Sequence, residues 1–323
     1  MREAPDPQAG PGALRIRVRA AGVNFSDLLA RQGLYPDAPK PPCVVGYEVA
    51  GVVDAVGAGI ARSRIGERVI AMTRFGGQSE LVVVPAGRAF PLPDGWSFAE
   101  GAALPVVYLT AHHILVRVAA VRAGETVLVH AAAGGVGLAV AQLGQILGLR
   151  VIGLASAAKH DVLRSCGVEP LDRADPGWVE AVRRLASGGV DVVLDPVGGA
   201  SWRAGYRLLA PAGRLVCYGA AELSSGPRRN LGAVLWRLLR WPRFGPLALM
   251  NDNRSVAGVN LGHLWDGEAM LRPQVEVLLG YAAAGRIRPR VDRAVPLGQA
   301  AEAHRYIHER RNIGKVVLTL EEP

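Results

Sequence analysis

Cysteine is scarce and scattered: Cys43, Cys166 and Cys217 stand far apart with no CxxC spacing. Neither a disulfide framework nor a structural zinc lobe can be read from them. No apolar run reaches the length of a bilayer span, and no secretory signal is visible. A reducing cytoplasm is therefore the expected compartment. Acidic side chains are the minority, 28 Asp and Glu against 37 Lys and Arg, leaving a net charge of +9. Nearly all the basic residues are arginine, dispersed along the chain without a nucleic-acid-binding motif. That pattern predicts a solvated basic surface and no nucleic-acid partner. What remains is a chain of 323 residues, half of them hydrophobic, long enough for two domains that each bury a core.

The chain is organised around residues 126–159, TVLVHAAAGGVGLAVAQLGQILGLRVIGLASAAK. The run Thr126-Val127-Leu128-Val129 reads as a buried parallel strand. A small-residue turn follows, Ala131-Ala132-Ala133-Gly134-Gly135-Val136-Gly137, and then an apolar helix that stops at Gly148. A second strand begins at Arg150, completing a βαβ unit. Residues without bulky side chains let a pyrophosphate approach the backbone, and the N–H groups that open the helix bind its oxygens. The turn departs from GxGxxG, because alanine stands where an earlier glycine would be. Its place between strand and helix makes it a nucleotide site.

An NAD site would carry Asp or Glu about 20 residues beyond the glycines, for the ribose 2′-OH. That window here reads Ser156-Ala157-Ala158-Lys159, with no acid until Asp161. A hydroxyl and an ammonium suit a 2′-phosphate, so NADPH is the expected cofactor. The alternatives are that Ser156 caps a helix and that Lys159 is solvated.

Ahead of this unit, 14–19, 44–54, 65–71 and 76–85 read as short strands with Gly-rich turns, a mostly β domain. Ser26 is the expected cap of a short helix from Asp27 to Gln32. Segments 98–104 and 107–117 read as helical. Beyond 159, helices alternate with strands at 169–172, 190–194, 214–218 and 255–261, predicting a doubly wound parallel sheet. A helix at about 270–284 ends at Gly285, and the tail at 289–320 reads as the first domain resumed. The least regular stretch is 231–250, LGAVLWRLLRWPRFGPLALM, with Leu235, Trp236, Leu238, Leu239 and Trp241 among Arg237, Arg240 and Arg243. As a helix it suits a lid, a subunit contact or a peripheral membrane contact, and it is too short and charged to span.

Several motifs occur in an order that resembles one family. They are Asn24-Phe25-Ser26-Asp27, Arg31-Gln32-Gly33-Leu34-Tyr35-Pro36, Gly46-Tyr47-Glu48-Val49-Ala50-Gly51, Gly66-Glu67-Arg68-Val69, the alanine–glycine turn and Asp195-Pro196-Val197-Gly198-Gly199. The chain resembles the medium-chain dehydrogenase/reductase superfamily in its zinc-free quinone oxidoreductase branch. Within that branch Pro227-Arg228-Arg229-Asn230-Leu231, 258–262 and Arg311-Asn312-Ile313-Gly314-Lys315-Val316 are similar to the vesicle amine transport protein-like members. The resemblance implies a doubly wound parallel Rossmann sheet (119–285) inserted in a mostly β, GroES-like catalytic domain (1–118 and 286–323). It also implies a homodimer, with 255–261 as a candidate sheet edge at the interface. Relatives usually carry an extra strand–turn–strand ahead of the segment matching 2–7, so the chain is expected to begin late. Val107 and His112 depart from the asparagine and tyrosine usual in the family's interdomain helix.

Zinc-dependent members take a cysteine in the loop matching 22–27 and a histidine before Glu48. This chain has Val23-Asn24-Phe25 and Tyr47 there, and no metal is expected. His112 and His113 are adjacent on a helix, so they point apart and are poor co-ligands. Without a Lewis acid, alcohol oxidation is difficult. Reduction of a quinone or an activated α,β-unsaturated carbonyl needs only orientation and donors to the developing oxyanion. An enoyl or alkenal double-bond reductase is the near alternative, and an NADPH-binding, lipid-associated protein with vestigial activity is the distant one. By resemblance, Asn24 and Tyr35 line the substrate cleft and Thr110 contacts the nicotinamide region. A turn-capping amide and a partly buried surface tyrosine are the plain readings of Asn24 and Tyr35. Asp195 and Gly219 end strands on the sheet's carboxyl edge, where Asp195 either bonds the cofactor or caps a turn. Arg310 or Arg311 could add a 2′-phosphate contact by resemblance, or simply end a helix.

Overall fold

A computed structural model of the chain describes residues 3–35, 37–40, 42–224, 226, 229–265 and 267–320. Pro36, Pro227 and Arg228, quoted in the motifs above, lie outside the described residues. Contacts divide the chain into two compact units, Met1–Leu109 with Gly262–Pro323, and Thr110–Leu261. Sequence reading put these divisions at 118/119 and 285/286. The helix Glu268–Ala283 groups with the first unit, where Arg272 donates to the Gly87 carbonyl (3.4 Å) and lies over the Phe90 ring.

The first unit is built on a mostly antiparallel sheet. Its strands are β1 (Ala13–Val23), β2 (Glu48–Val56), β3 (Arg68–Met72), β4 (Leu81–Pro85) and β5 (Ala89–Pro91). Alternation along LRIRVR turns Leu14, Ile16 and Val18 inward, where they pack with Val49, Val53 and Val69. The second unit supplies β6 (Thr126–His130), β7 (Arg150–Ala155), β8 (Val168–Asp172), β9 (Val190–Asp195), β10 (Leu209–Cys217) and β11 (Ser255–Gly258). The chain then returns to the first sheet with β12 (Val291–Pro296) and β13 (Lys315–Thr319).

Among the described residues the first sheet runs β12-β13-β1-β2-β3-β5, with β4 also paired to β1. Strand β1 is its hub: Val23 pairs with Val316 on one side, and Ala21 with Val49 on the other. Gly22 lies between these contacts. A Cβ there would collide with the Glu48 carboxylate and the Ala102 carbonyl, so the missing side chain gives Glu48 its place.

The second sheet is parallel and runs β11-β10-β9-β6-β7-β8. The chain winds outward from β6 to β8 and then returns to β9 on β6's other side, which makes the carboxyl ends of β6 and β9 the switch point. Leu128, Ile152, Val193 and Leu215 form its core. The expected strand at 214–218 starts earlier, at Leu209. The one expected at 255–261 stops at Gly258, and Leu261–Leu264 is a 3-10 turn.

The stretch at 231–250 is two helices, Leu231–Arg240 and Pro246–Asp252. Pro242 disfavours helical backbone at Trp241 and separates them. Trp241 does not join the outward apolar set. It packs edge-on against Trp202 at 4.5 Å, and its indole N–H donates to Glu222.

Candidate functional site

Two groups of residues carry chemistry, one in each compact unit. In the second unit the turn after β6 leads straight into the helix Gly135–Leu147, with Gly134 at its N-cap. Ala131 takes a left-handed backbone (φ +54), and the Gly134 N–H closes the turn on the Ala131 carbonyl at 2.9 Å. Ala133 is buried, whereas Gly134, Gly135 and Val136 are half-buried. Gly137 is packed on the Ala132 backbone, where a Cβ would not fit. The first N–H groups of a helix have no intrahelical acceptor. At this turn they lie among small side chains on a partly open surface, which fits the pyrophosphate of a dinucleotide.

Ser156 follows the last residue of β7 and precedes a 3-10 turn, Ala157–Lys159, without capping it through its side chain. Both Ser156 and Lys159 are half-buried. Asp161, the nearest acid in sequence, is paired with Arg164 at 2.7 Å. Sequence reading missed Arg173. Its backbone N–H donates to the Ala155 carbonyl at 2.9 Å, bringing an exposed guanidinium residue to the end of β7. The signal available was its position just past β8. The Ser156 hydroxyl, the Lys159 ammonium and the Arg173 guanidinium are donors that suit a 2′-phosphate. The acid at this edge is Asp172, opposite Ala155, whose Oδ1 accepts the Ala174 N–H at 3.0 Å.

Asp195 ends β9 and is fully buried. Its Oδ1 accepts the Val197 and Gly198 N–H groups (2.6 and 3.3 Å), so it caps the following turn. Its Oδ2 lies 3.7 Å from Nε2 of the buried His130, whose pKa is lowered by burial against the pull of Asp195. Gly219 is exposed after β10, with its backbone close against Pro196. Thr110 is buried in the helix Pro105–His112. His112 and His113 are buried beside it, and His113 opens a π-helical turn to Val118.

The first unit holds the second group. The short helix Phe25–Arg31 has Asn24 at its N-cap, where Ser26 was expected. The cap works through Asp27, whose Oδ2 accepts the Asn24 N–H at 2.8 Å and whose Oδ1 accepts the Gly46 N–H at 2.9 Å. The Asn24 amide also reaches Glu48 and Lys315. Its Nδ2 donates to Glu48 Oε1 at 2.8 Å, and its Oδ1 accepts from Lys315 Nζ at 2.5 Å. Lys315 also donates to the Val23 carbonyl (3.0 Å) and pairs with Glu48 Oε1 (2.5 Å). The remaining oxygen of Glu48 accepts the Val106 N–H at 2.7 Å. Lys315 was not among the site residues read from the sequence.

Tyr35 is half-buried and meets the ring of the buried Tyr47 edge-on at 6.0 Å. Burial raises the Tyr47 phenol well above its ordinary pKa. Arg310 is exposed, in left-handed backbone just past the helix Ala300–His308. A zinc site is a poor fit here. A neutral amide, an ammonium and a backbone N–H surround Glu48, the residue before it is a tyrosine whose phenol stays protonated, and Asp27 is held by two backbone N–H groups.

Comparison with known proteins settles the family. Residues 10–94 match the alcohol dehydrogenase GroES-like domain, and residues 169–318 the zinc-binding dehydrogenase family. The chain is 44% identical to the synaptic vesicle membrane protein VAT-1 homolog of Rattus norvegicus, covering 98% of this chain and 79% of that protein. It belongs to the medium-chain dehydrogenase/reductase superfamily, in its zinc-free, quinone oxidoreductase-like branch. The quinone oxidoreductase of Thermus thermophilus, solved also with NADPH, superposes with a TM-score of 0.81. It is 35% identical, over 99% of this chain and 95% of that one. The CurK enoyl reductase superposes at 0.86 with 26% identity, over 99% and 94% of the two chains. Members of the superfamily are oxidoreductases, and the GroES-like and Rossmann units are the ones the sequence predicts.

Burial pushes the Asp27 carboxyl up from 3.8 to about 7, against the Asn24 N–H, Lys315 and the Gly46 N–H. A raised carboxyl contributes stability that is full below its unfolded value, near pH 4, and is lost as pH rises towards 7. The stability of the native chain relative to Asp27→Asn will therefore fall across that window, by at most about 1.4 kcal/mol per pH unit. Urea denaturation at several pH values measures this, and parallel profiles for the two proteins would contradict it.

Proposed function

We propose that the chain is a zinc-independent reductase that uses NADPH to reduce a quinone or an activated α,β-unsaturated carbonyl. The observation that carries this reading is the Asn24–Glu48–Lys315 cluster, which offers a hydrogen-bond donor and no metal-ligand set. NADPH, when bound, supplies the hydride. The turn at Ala133–Gly137 would hold its pyrophosphate through backbone N–H groups, and Ser156, Lys159 and Arg173 would hold the 2′-phosphate. Asn24, with Tyr35, donates to the acceptor oxygen as negative charge grows there. A quinone would take up that hydride and one proton from water to give the hydroquinone, leaving the cofactor oxidised as NADP+. An acceptor that is already electrophilic needs no Lewis acid, whereas an alcohol would.

The same residues serve an enoyl or alkenal reductase, which differs in the carbon that receives the hydride. The similarity to an enoyl reductase favours keeping it as the second reading. The cytoplasm is the proposed compartment. A homodimer joined through β11, an edge strand of the parallel sheet, is proposed with it, and sedimentation velocity tests that arrangement.

Absorbance at 340 nm, followed with NADPH and then NADH against quinones and enones, tests the assignment. Turnover with NADPH and a quinone is expected, and Lys159→Ala should cut the preference for NADPH over NADH by about tenfold, the loss of one charge-assisted contact. Turnover with enones alone would select the second reading, and no turnover with any acceptor would reject both.

A peripheral membrane role rests on a separate observation. Leu235, Trp236 and Leu239 are about 60% exposed, and Leu247 and Met250 are 76% and 70% exposed. Arg237, Arg240 and Arg243 lie among them, with no acid between Glu222 and Asp252. Such a surface suits anionic lipid. The chain should co-sediment with phosphatidylglycerol vesicles, and Trp236→Ser with Leu239→Ser should abolish this. Absence of sedimentation by the unaltered protein would remove the role.

A further inference from the structure

The hydrogen-bond inventory of the buried cluster leaves one donor over. Lys315 has three ammonium hydrogens and three acceptors: the Val23 carbonyl, Asn24 Oδ1 and Glu48 Oε1. Glu48 is complete on both oxygens, taking Lys315 and Asn24 on one and the Val106 N–H on the other. The Asn24 amide has an oxygen, occupied by the ammonium, and two N–H hydrogens, of which one goes to Glu48. Its second N–H has no partner among the described residues. Lys315 is 3% exposed and Glu48 wholly buried, while Asn24, at 9%, is the member nearest the surface.

The orientation of this amide is not arbitrary. Turning it over would set an NH2 against an ammonium and a carbonyl oxygen against a carboxylate, two repulsive contacts in a buried site where screening is weak. Lys315 therefore fixes which end of Asn24 faces Glu48 and leaves the outer N–H as the donor. It also polarises that donor. A full positive charge 2.5 Å from the amide oxygen draws density from nitrogen towards oxygen and makes the N–H hydrogens more positive.

We propose that Lys315 is a positioning residue for reduction: it orients and polarises Asn24, so that positive charge reaches the acceptor oxygen through an amide. This deepens the function proposed above and rests on it. The buried ammonium does through Asn24 part of what a bound cation would do directly. Glu48 balances its charge and holds the other end of the amide.

Removing Lys315 alone would strand a buried carboxylate and endanger folding, so the test uses the paired change Lys315→Gln with Glu48→Gln. The variants are judged first by thermal melting and by NADPH affinity, both expected to stay close to those of the unaltered protein. Quinone reduction is then measured as kcat and as KM for NADPH. Asn24→Ala is expected to lower kcat by about a hundredfold, as loss of one oxyanion donor does. The paired glutamine variant should lose roughly tenfold in kcat, the equivalent of about 1.4 kcal/mol, with KM for NADPH unchanged. Adding Asn24→Ala to it should cost clearly less than a hundredfold more, because the two act through one donor. Lys315→Arg, which keeps the cation, should retain most of the activity.

A folded paired variant with native kcat would overturn the proposal. So would a full hundredfold further loss from Asn24→Ala on that background. If Asn24→Ala itself leaves kcat unchanged while the native chain reduces quinones with NADPH, the positioning role falls and the function stands. If the native chain reduces no acceptor, both fall together.

Discussion

Burying an ammonium costs several kcal/mol unless its charge is paired and each of its hydrogens finds an acceptor. Lys315 meets both conditions, and the way it does so ties together four segments of the first unit. The lysine opens β13 and Glu48 opens β2. Asn24 joins β1 to the first helix, and Val106 lies in the first turn of the helix Pro105–His112. The acceptors Val23 and Asn24 lie nearly 300 residues earlier in the chain. The return of the C-terminal segment to the first sheet is thus more than a closing strand, because it delivers the cation that Glu48 and Asn24 require. Gly22 serves the same end, since any side chain there would displace the Glu48 carboxylate.

The Rossmann unit is governed by a different constraint. Its turn must expose helix N–H groups to an anion while packing the helix tightly on the sheet. Small residues at 131–137 meet both demands, and the close contact of Gly137 with Ala132 shows how little space is available. Because that requirement is local, it was legible in the sequence, as were the parallel strands and the split first domain. The absence of an acid just after β7 could be read in the same way.

The remainder depended on contacts that join distant residues. The motif ending in Gly314-Lys315-Val316 reads as a family signature and as the start of a strand. Alternation gave no reason to bury Lys315, and nothing local pointed to Asn24 or Glu48 as its partners. One hint was present: in a chain whose basic residues are nearly all arginine, a lysine stands at the head of an apolar strand. The strand-end position of Asp195 allows a cofactor contact or a turn cap, and the structure shows its Oδ1 accepting the Val197 and Gly198 N–H groups. Trp241 looked like one more outward aromatic until Trp202 and Glu222, residues from other elements, accounted for it. The cap of the first helix moved from Ser26 to Asn24 because Asp27 accepts the Asn24 N–H, a reciprocal contact that residue preferences alone do not reveal.

In the proposed reaction an amide backed by a buried lysine does the electrostatic work, with no metal ion required. The direct measurement is the zinc content of the purified protein, together with its rate of NADPH-dependent quinone reduction before and after dialysis against a strong chelator. No stoichiometric zinc and an unchanged rate are the expected results. One zinc per chain, with activity lost on chelation and restored by zinc, would contradict the claim.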